Sequence, residues 1–272
     1  MSWLILLLQI TFALLMLGSI LLFLFILAST WTWAQYQTQT QKIEISLSEI
    51  LTTASIEWIA MVILSFGQFR SLKPLFEAPP LEYVKPEQLS TKQIPIIFVP
   101  SLHTSGGLFS ILMWRLKKHF YLSLWPYSWR SFLKDSRLLE DELTEFIRTV
   151  LKETKSSKFR ILSFGSSRRI VSRILSSDEF SKHCEKWIAL AAPETMSATM
   201  RFLQTERLRS SYFEDTTPLV RSPDLLLCGT HDLFCYPPSV FGEGRTHRVS
   251  PVGHYSLLIH PDVVQKTLEE LA

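Results

Sequence analysis

The chain has 272 residues, enough for one large domain with an appendage. Its net charge of +3, with no Lys/Arg stripe interleaved with aromatics, argues against a nucleic-acid partner. Three cysteines, Cys184, Cys228 and Cys235, are odd in number and lack metal-ligand spacing, so neither a disulfide framework nor a zinc site is expected. No motif asks for a metal or a cofactor.

The charge is unevenly spread. The first 34 residues contain no Asp, Glu, Lys, Arg or His. The run Trp3 to Ala34 exceeds the roughly 20 apolar residues needed to cross a bilayer, and Trp31 and Trp33 suit the aromatic belt at its interface. A cleaved signal peptide would carry a positive charge before its apolar core, but the first basic residue is Lys42. Residues 1–35 therefore read as a transmembrane anchor, and a lipid membrane is the expected partner. Residues 36–72 form a juxtamembrane segment. Its apolar stretch from Ile56 to Phe66 is about half the spanning length and reads as a helix in the interface or packed on the first span. It would cross only by recruiting flanking residues. The first positive charges follow the anchor, which mildly favours a cytoplasmic soluble domain. Pro74, Pro79, Pro80 and Pro86 mark residues 73–92 as a linker.

Residues 93–272 alternate strands and helices. Ile94 to Val99 is a short β-branched run closed by Pro100, a buried strand. Leu108 to His119 reads as a helix and Phe120 to Trp125 as a strand. Leu138 to Glu153 is an amphipathic helix, with Leu139, Leu143, Phe146, Ile147 and Val150 at helical spacing. Further strands are expected at Phe159 to Phe164, Trp187 to Ala192, Asp224 to Cys228 and Thr246 to Val249. A helix follows the Phe159 strand through Leu175, and another closes the chain from Val263 to Leu271. This alternation predicts an α/β fold with a mostly parallel sheet flanked by helices. Ligands of such sheets sit beyond the carboxyl ends of the strands. The loops SLHTSGG, GSSRR, THD and VGH are therefore the candidate site.

Those loops present a Ser-bearing turn, then Asp232, then His254, the chain order of an α/β-hydrolase triad. Residues 94–272 resemble bacterial membrane-linked lipases and esterases of the α/β-hydrolase superfamily, including the layout of anchor, shorter apolar segment and linker. The resemblance implies a serine carboxylic ester hydrolase acting on lipid-like ester or acyl groups at the bacterial inner membrane. It implies that Asp232, in CGTHDLF, orients the imidazole of His254, in PVGHYS, which acts as base. It places an oxyanion donor at the Leu102 N–H, where the chain has Pro100-Ser101 in place of the family's His-Gly.

The nucleophile turn, ILSFGSSRRIV, departs from the family's G-x-S-x-G. Laid ungapped, Ser163 and Ser167 take the two small positions and Gly165 the tip, which leaves no hydroxyl. Shifted by one, Ser166 is the nucleophile, with Phe164 and Arg168 crowding it. Shifted by two, the nucleophile is Ser167. Arg168 and Arg169, at the start of the next helix, suit an anionic group or point to solvent. Two functions follow: an esterase using Ser166 or Ser167, His254 and Asp232, or a catalytically inactive pseudoenzyme binding a lipid or protein partner. A serine hydroxyl in the turn within reach of His254 favours the first. Gly165 at the tip, with both serines turned away, favours the second.

Overall fold

The computed structural model describes residues 2–41, 44–71, 94–102, 104–119, 123–129, 136–192, 221–232 and 245–271. The linker 73–92, Cys235, and Tyr212, Phe213 and Phe241, which read as cover or core residues, lie outside the described residues.

Six strands form one sheet: β1 (Ile96–Val99), β2 (Leu124–Pro126), β3 (Phe159–Phe164), β4 (Cys184–Leu190), β5 (Leu225–Gly229) and β6 (Arg245–Val249). Their order is β2-β1-β3-β4-β5-β6, and all five pairings are parallel. Parallel strands need covered faces, and the alternation along β1 and β3 supplies them. Ile97, Val99 and Ile161 face α4 (Ser136–Thr154) and α5 (Arg168–Leu175), meeting Leu143, Ile147 and Ile170. Ile96, Phe98, Leu162 and Phe164 face the other way. There they meet Leu112 and Leu116 of α3 (Ser110–His119) and Val263 and Leu268 of the C-terminal helix, Pro261–Leu271. The short helix α6 (Asp178–Ser181) lies between α5 and β4, so the C-terminal helix is α7. Arg173 of α5 pairs with Glu140 of α4 at 2.9 Å, joining two helices on one face.

The N-terminal part forms two long helices, α1 (Ser2–Gln41) and α2 (Leu47–Ser71). By length and composition both could cross a membrane. α1 exposes Trp3, Leu7, Leu14, Leu15 and Leu21. α2 is more than twice as long as its apolar stretch, because the helix also takes in Leu47–Ser55 before it, with Ser48 and Thr52 exposed and Thr53 buried, and residues 67–71 after it. Ile26, Trp33, Ala34, Ile50 and Ala54 bury the contact between the two helices. α2 also reaches the sheet layer, where Leu64 joins the core beneath α3 and α7.

Candidate functional site

The site lies where β1, β3, β5 and β6 end. β1 and β3 pair in register, Val99 opposite Ser163. Ser101 and Gly165 each follow two residues later, so they stand side by side at the sheet's carboxyl edge. Gly165 opens a 3-10 turn, Gly165–Ser167, that leads into α5. Its φ is +61°, a left-handed conformation that costs an L side chain about 1–2 kcal/mol. A Cβ placed on Gly165 would lie 2.8 Å from Ser101 Oγ and 3.9 Å from His254 Nε2. The tip of the turn therefore faces the imidazole, and the residue at the tip is glycine.

The other half, Asp232 and His254, comes from the other strand ends. Asp232 follows β5 through Thr230-His231, and both turn amides are tied to the end of β6. Thr230 N–H donates to the Val249 carbonyl at 3.0 Å and His231 N–H to the Val252 carbonyl at 2.9 Å. His254 Nδ1 is 3.0 Å from each Asp232 carboxylate oxygen. That contact assigns the Nδ1–H tautomer and leaves Nε2 toward the tip. The Asp232 and His254 side chains are 3% and 5% exposed, and Phe164 packs on the imidazole with ring centres 4.8 Å apart.

The serines of the turn do not point at His254. Ser166 Oγ lies 2.8 Å from Ser101 Oγ and accepts the Leu102 N–H at 3.1 Å. The Ser166 N–H donates to Ser101 Oγ at 3.3 Å. Ser167 Oγ is fully buried, 3.0 Å from the Phe164 carbonyl and 3.2 Å from that of Val99, to which it donates. The nucleophile role expected of Ser166 thus does not fit its place one residue past the tip. There its hydroxyl rests on the Leu102 N–H and its own N–H on Ser101 Oγ. Ser167 is spent holding β1 to β3. Leu102 N–H and Ser166 N–H converge on one small volume, now filled by two serine hydroxyls. Arg168 is buried, 4% exposed, so it does not point to solvent.

Three contributors come from the N-terminal helices. Glu57 of α2 is 1% exposed, and its carboxylate accepts the Tyr255 N–H at 2.8 Å and the Ser256 N–H at 3.0 Å. Gly253 admits it: a Cβ there would lie 2.3 Å from Glu57 Oε1. Trp33 of α1, expected in an interfacial belt, is instead 3% exposed and packs on His231 with ring centres 4.9 Å apart. Glu49 of α2 meets the same imidazole at 3.4 Å. Sequence reasoning missed this docking. The available signal was a single carboxylate, Glu57, inside the apolar stretch Ile56 to Phe66, which needs a buried partner.

Burial pushes the Cys184 thiol up to about 12 and the Cys228 thiol to about 11, so neither supplies a thiolate nucleophile near neutral pH. Among the described residues no group of three His, Cys, Asp or Glu side chains could hold a metal ion.

No protein-family model and no curated protein matches the sequence. Solved structures do match in shape. Lipase B of Aspergillus fumigatus superposes with a TM-score of 0.52 at 13% identity, over 67% of this chain and 53% of that one. The chain thus spans about half the length of that lipase. Carboxylesterase CesB of Bacillus subtilis superposes with a TM-score of 0.50 at 10% identity, over 78% of this chain and 98% of that one. The protein has the α/β-hydrolase fold. In an α/β-hydrolase, the strained turn between strand and helix carries the nucleophile, and the next residue's N–H forms half the oxyanion hole. Here those positions are Gly165 and Ser166. The loop after the neighbouring strand brings the Leu102 N–H to the same edge of this α/β-hydrolase fold.

Proposed function

We propose that the protein is a membrane-anchored carboxylic ester hydrolase acting on lipid-like substrates. The observation that carries this reading is the buried Asp232–His254 pair, with Nε2 directed at the tip of the turn. A buried ion pair is weak support for stability, since desolvation offsets most of its attraction. Proton transfer accounts for its placement. His254 would take the proton of a nucleophile and return it to the leaving alkoxide. Asp232 would hold the tautomer and stabilise the imidazolium. Leu102 N–H and Ser166 N–H would receive the oxyanion once the two serine hydroxyls are displaced. The lipid-like substrate class is supported by the exposed apolar length of α1 and by the seating of α2 against the His254 turn.

A second reading, an inactive fold that holds a lipid or protein partner, is favoured by Gly165 at the tip with Ser166 and Ser167 turned away. The full chain in detergent micelles separates the two. Hydrolysis of p-nitrophenyl butyrate or dodecanoate, lost in His254→Ala, is the expected result. Folded protein that turns over neither ester, beside an active control esterase, leaves the second reading.

A further inference from the structure

We infer that Ser101, at the end of the strand beside the turn, is the nucleophile. This assignment rests on the ester-hydrolase reading above. The tip of the turn has no hydroxyl, but it does not face an empty wall. Ser101 Oγ is 2.8 Å from the point where a Gly165 Cβ would sit, and that point is 3.9 Å from His254 Nε2. The Ser101 hydroxyl thus borders the space in front of the base, and catalytic contacts tighten when substrate binds. The two positions also compete for space, since a Cβ at 165 would press on Ser101 and its hydroxyl would have to turn aside. The turn carries glycine where Ser101 needs room.

The backbone donors fit the exchange. Ser101 and Gly165 are equivalent by register, each two residues beyond the pair Val99 and Ser163. Leu102 N–H stands to Ser101 as Ser166 N–H stands to Gly165. Moving the hydroxyl from one strand end to its neighbour swaps the roles of the two donors and leaves both aimed at the same volume. Both already bind serine oxygens there, Leu102 N–H at 3.1 Å and Ser166 N–H at 3.3 Å.

The chemistry closes. Ser101 Oγ attacks the ester carbonyl carbon while its proton passes to His254 Nε2. The carbonyl oxygen, now negative, takes the place of the Ser166 hydroxyl at the Leu102 N–H and of Ser101 Oγ at the Ser166 N–H. The C–O bond to the alcohol breaks, and the alkoxide leaves with the proton from His254. Water then attacks the acyl-serine, gives a proton to His254, and the C–Oγ bond breaks as that proton returns to Ser101. One ester and one water yield one acid and one alcohol.

Fluorophosphonate labelling of the full chain in detergent, followed by tryptic mapping, tests the assignment without relying on a variant. Ser101 falls in the peptide 93–115, and Ser166 and Ser167 in 161–168. The expected result is phosphonylation in 93–115, mapped to Ser101. It should fall roughly 10³-fold or more in Ser101→Ala and in His254→Ala, with the melting temperature of each variant checked alongside. Label in 161–168 overturns Ser101 and leaves the hydrolase reading standing, as does His254-dependent ester turnover without label on Ser101. No label and no turnover from folded protein overturns both.

Discussion

The two halves of the site differ in how they tolerate change. The acid–base half, at the ends of β5 and β6, holds its geometry through side chains that depend on one another. Removing either Asp232 or His254 would break a buried pair, which is costly. The nucleophile half, at the ends of β1 and β3, is built on backbone. Its N–H groups stay in place whatever side chains the strand ends carry. A hydroxyl can therefore move between adjacent strands there, while the Asp–His pair cannot move at all.

That contrast can be broken most forcefully at Asp232. Asp232→Asn should lower fluorophosphonate labelling by about 10⁴-fold through the wrong tautomer of His254, measured as the second-order labelling rate. The nucleophile half should instead survive rearrangement. The double variant Gly165→Ser, Ser101→Gly should keep His254-dependent labelling within roughly tenfold of the starting protein, an allowance for a small misplacement of the attacking oxygen. Its label should appear in peptide 161–168. Gly165→Ser alone should be destabilised by about 1–3 kcal/mol from its left-handed backbone and its pressure on Ser101, read by chemical denaturation. If the single variant is as stable as the parent, the competition for space between the two positions is wrong.

The support of the His254 turn gives a smaller effect. Glu57→Ala uncovers the Tyr255 and Ser256 amides and should cost about 1–3 kcal/mol. Labelling should fall with it, and Glu57→Gln should restore part of both through one amide oxygen. The smallest effect lies away from the site. Glu270 is bonded to Lys186 at 2.8 Å and to Arg245 at 2.6 Å, and the bond to Lys186 foremost holds its carboxyl below the usual range. A depressed carboxyl contributes stability above its unfolded pKa and loses it as pH falls through the folded one. The melting temperature should therefore decline on acidification below about pH 4, and Glu270→Gln should flatten that decline.

Much of this was legible in the sequence. Phe159–Phe164 reads as a strand to the residue, because Phe159, Ile161, Leu162 and Phe164 form a short apolar run, interrupted only by Arg160 and Ser163 and closed by a Gly-Ser turn. Asp232 and His254 stand out because their turns follow strands in the right order, and the structure brings them to 3.0 Å. The long α2 did not stand out: its first turns carry Ser, Thr and Glu, and only docking against the domain shows why they are helical. Ser101 was legible as a residue of the oxyanion loop and not as a nucleophile. Its relation to Gly165 depends on the register of β1 against β3, a long-range property that no local pattern encodes.

The grip of Glu57 on the turn that holds His254 has a further consequence. The N-terminal helices are more than a tether, since the hydrogen bonds of the base's own loop are completed by a residue of α2. A fragment beginning near residue 90 would keep the sheet but leave the Tyr255 and Ser256 amides without that carboxylate, and His231 without Trp33 and Glu49. Such a fragment should fold with faster amide hydrogen exchange across residues 252–257 than the full chain. A chain without α1 and α2 would then keep the sheet while the turn that holds His254 loosens, so the proposed chemistry would depend on the docked helices as well as on the domain.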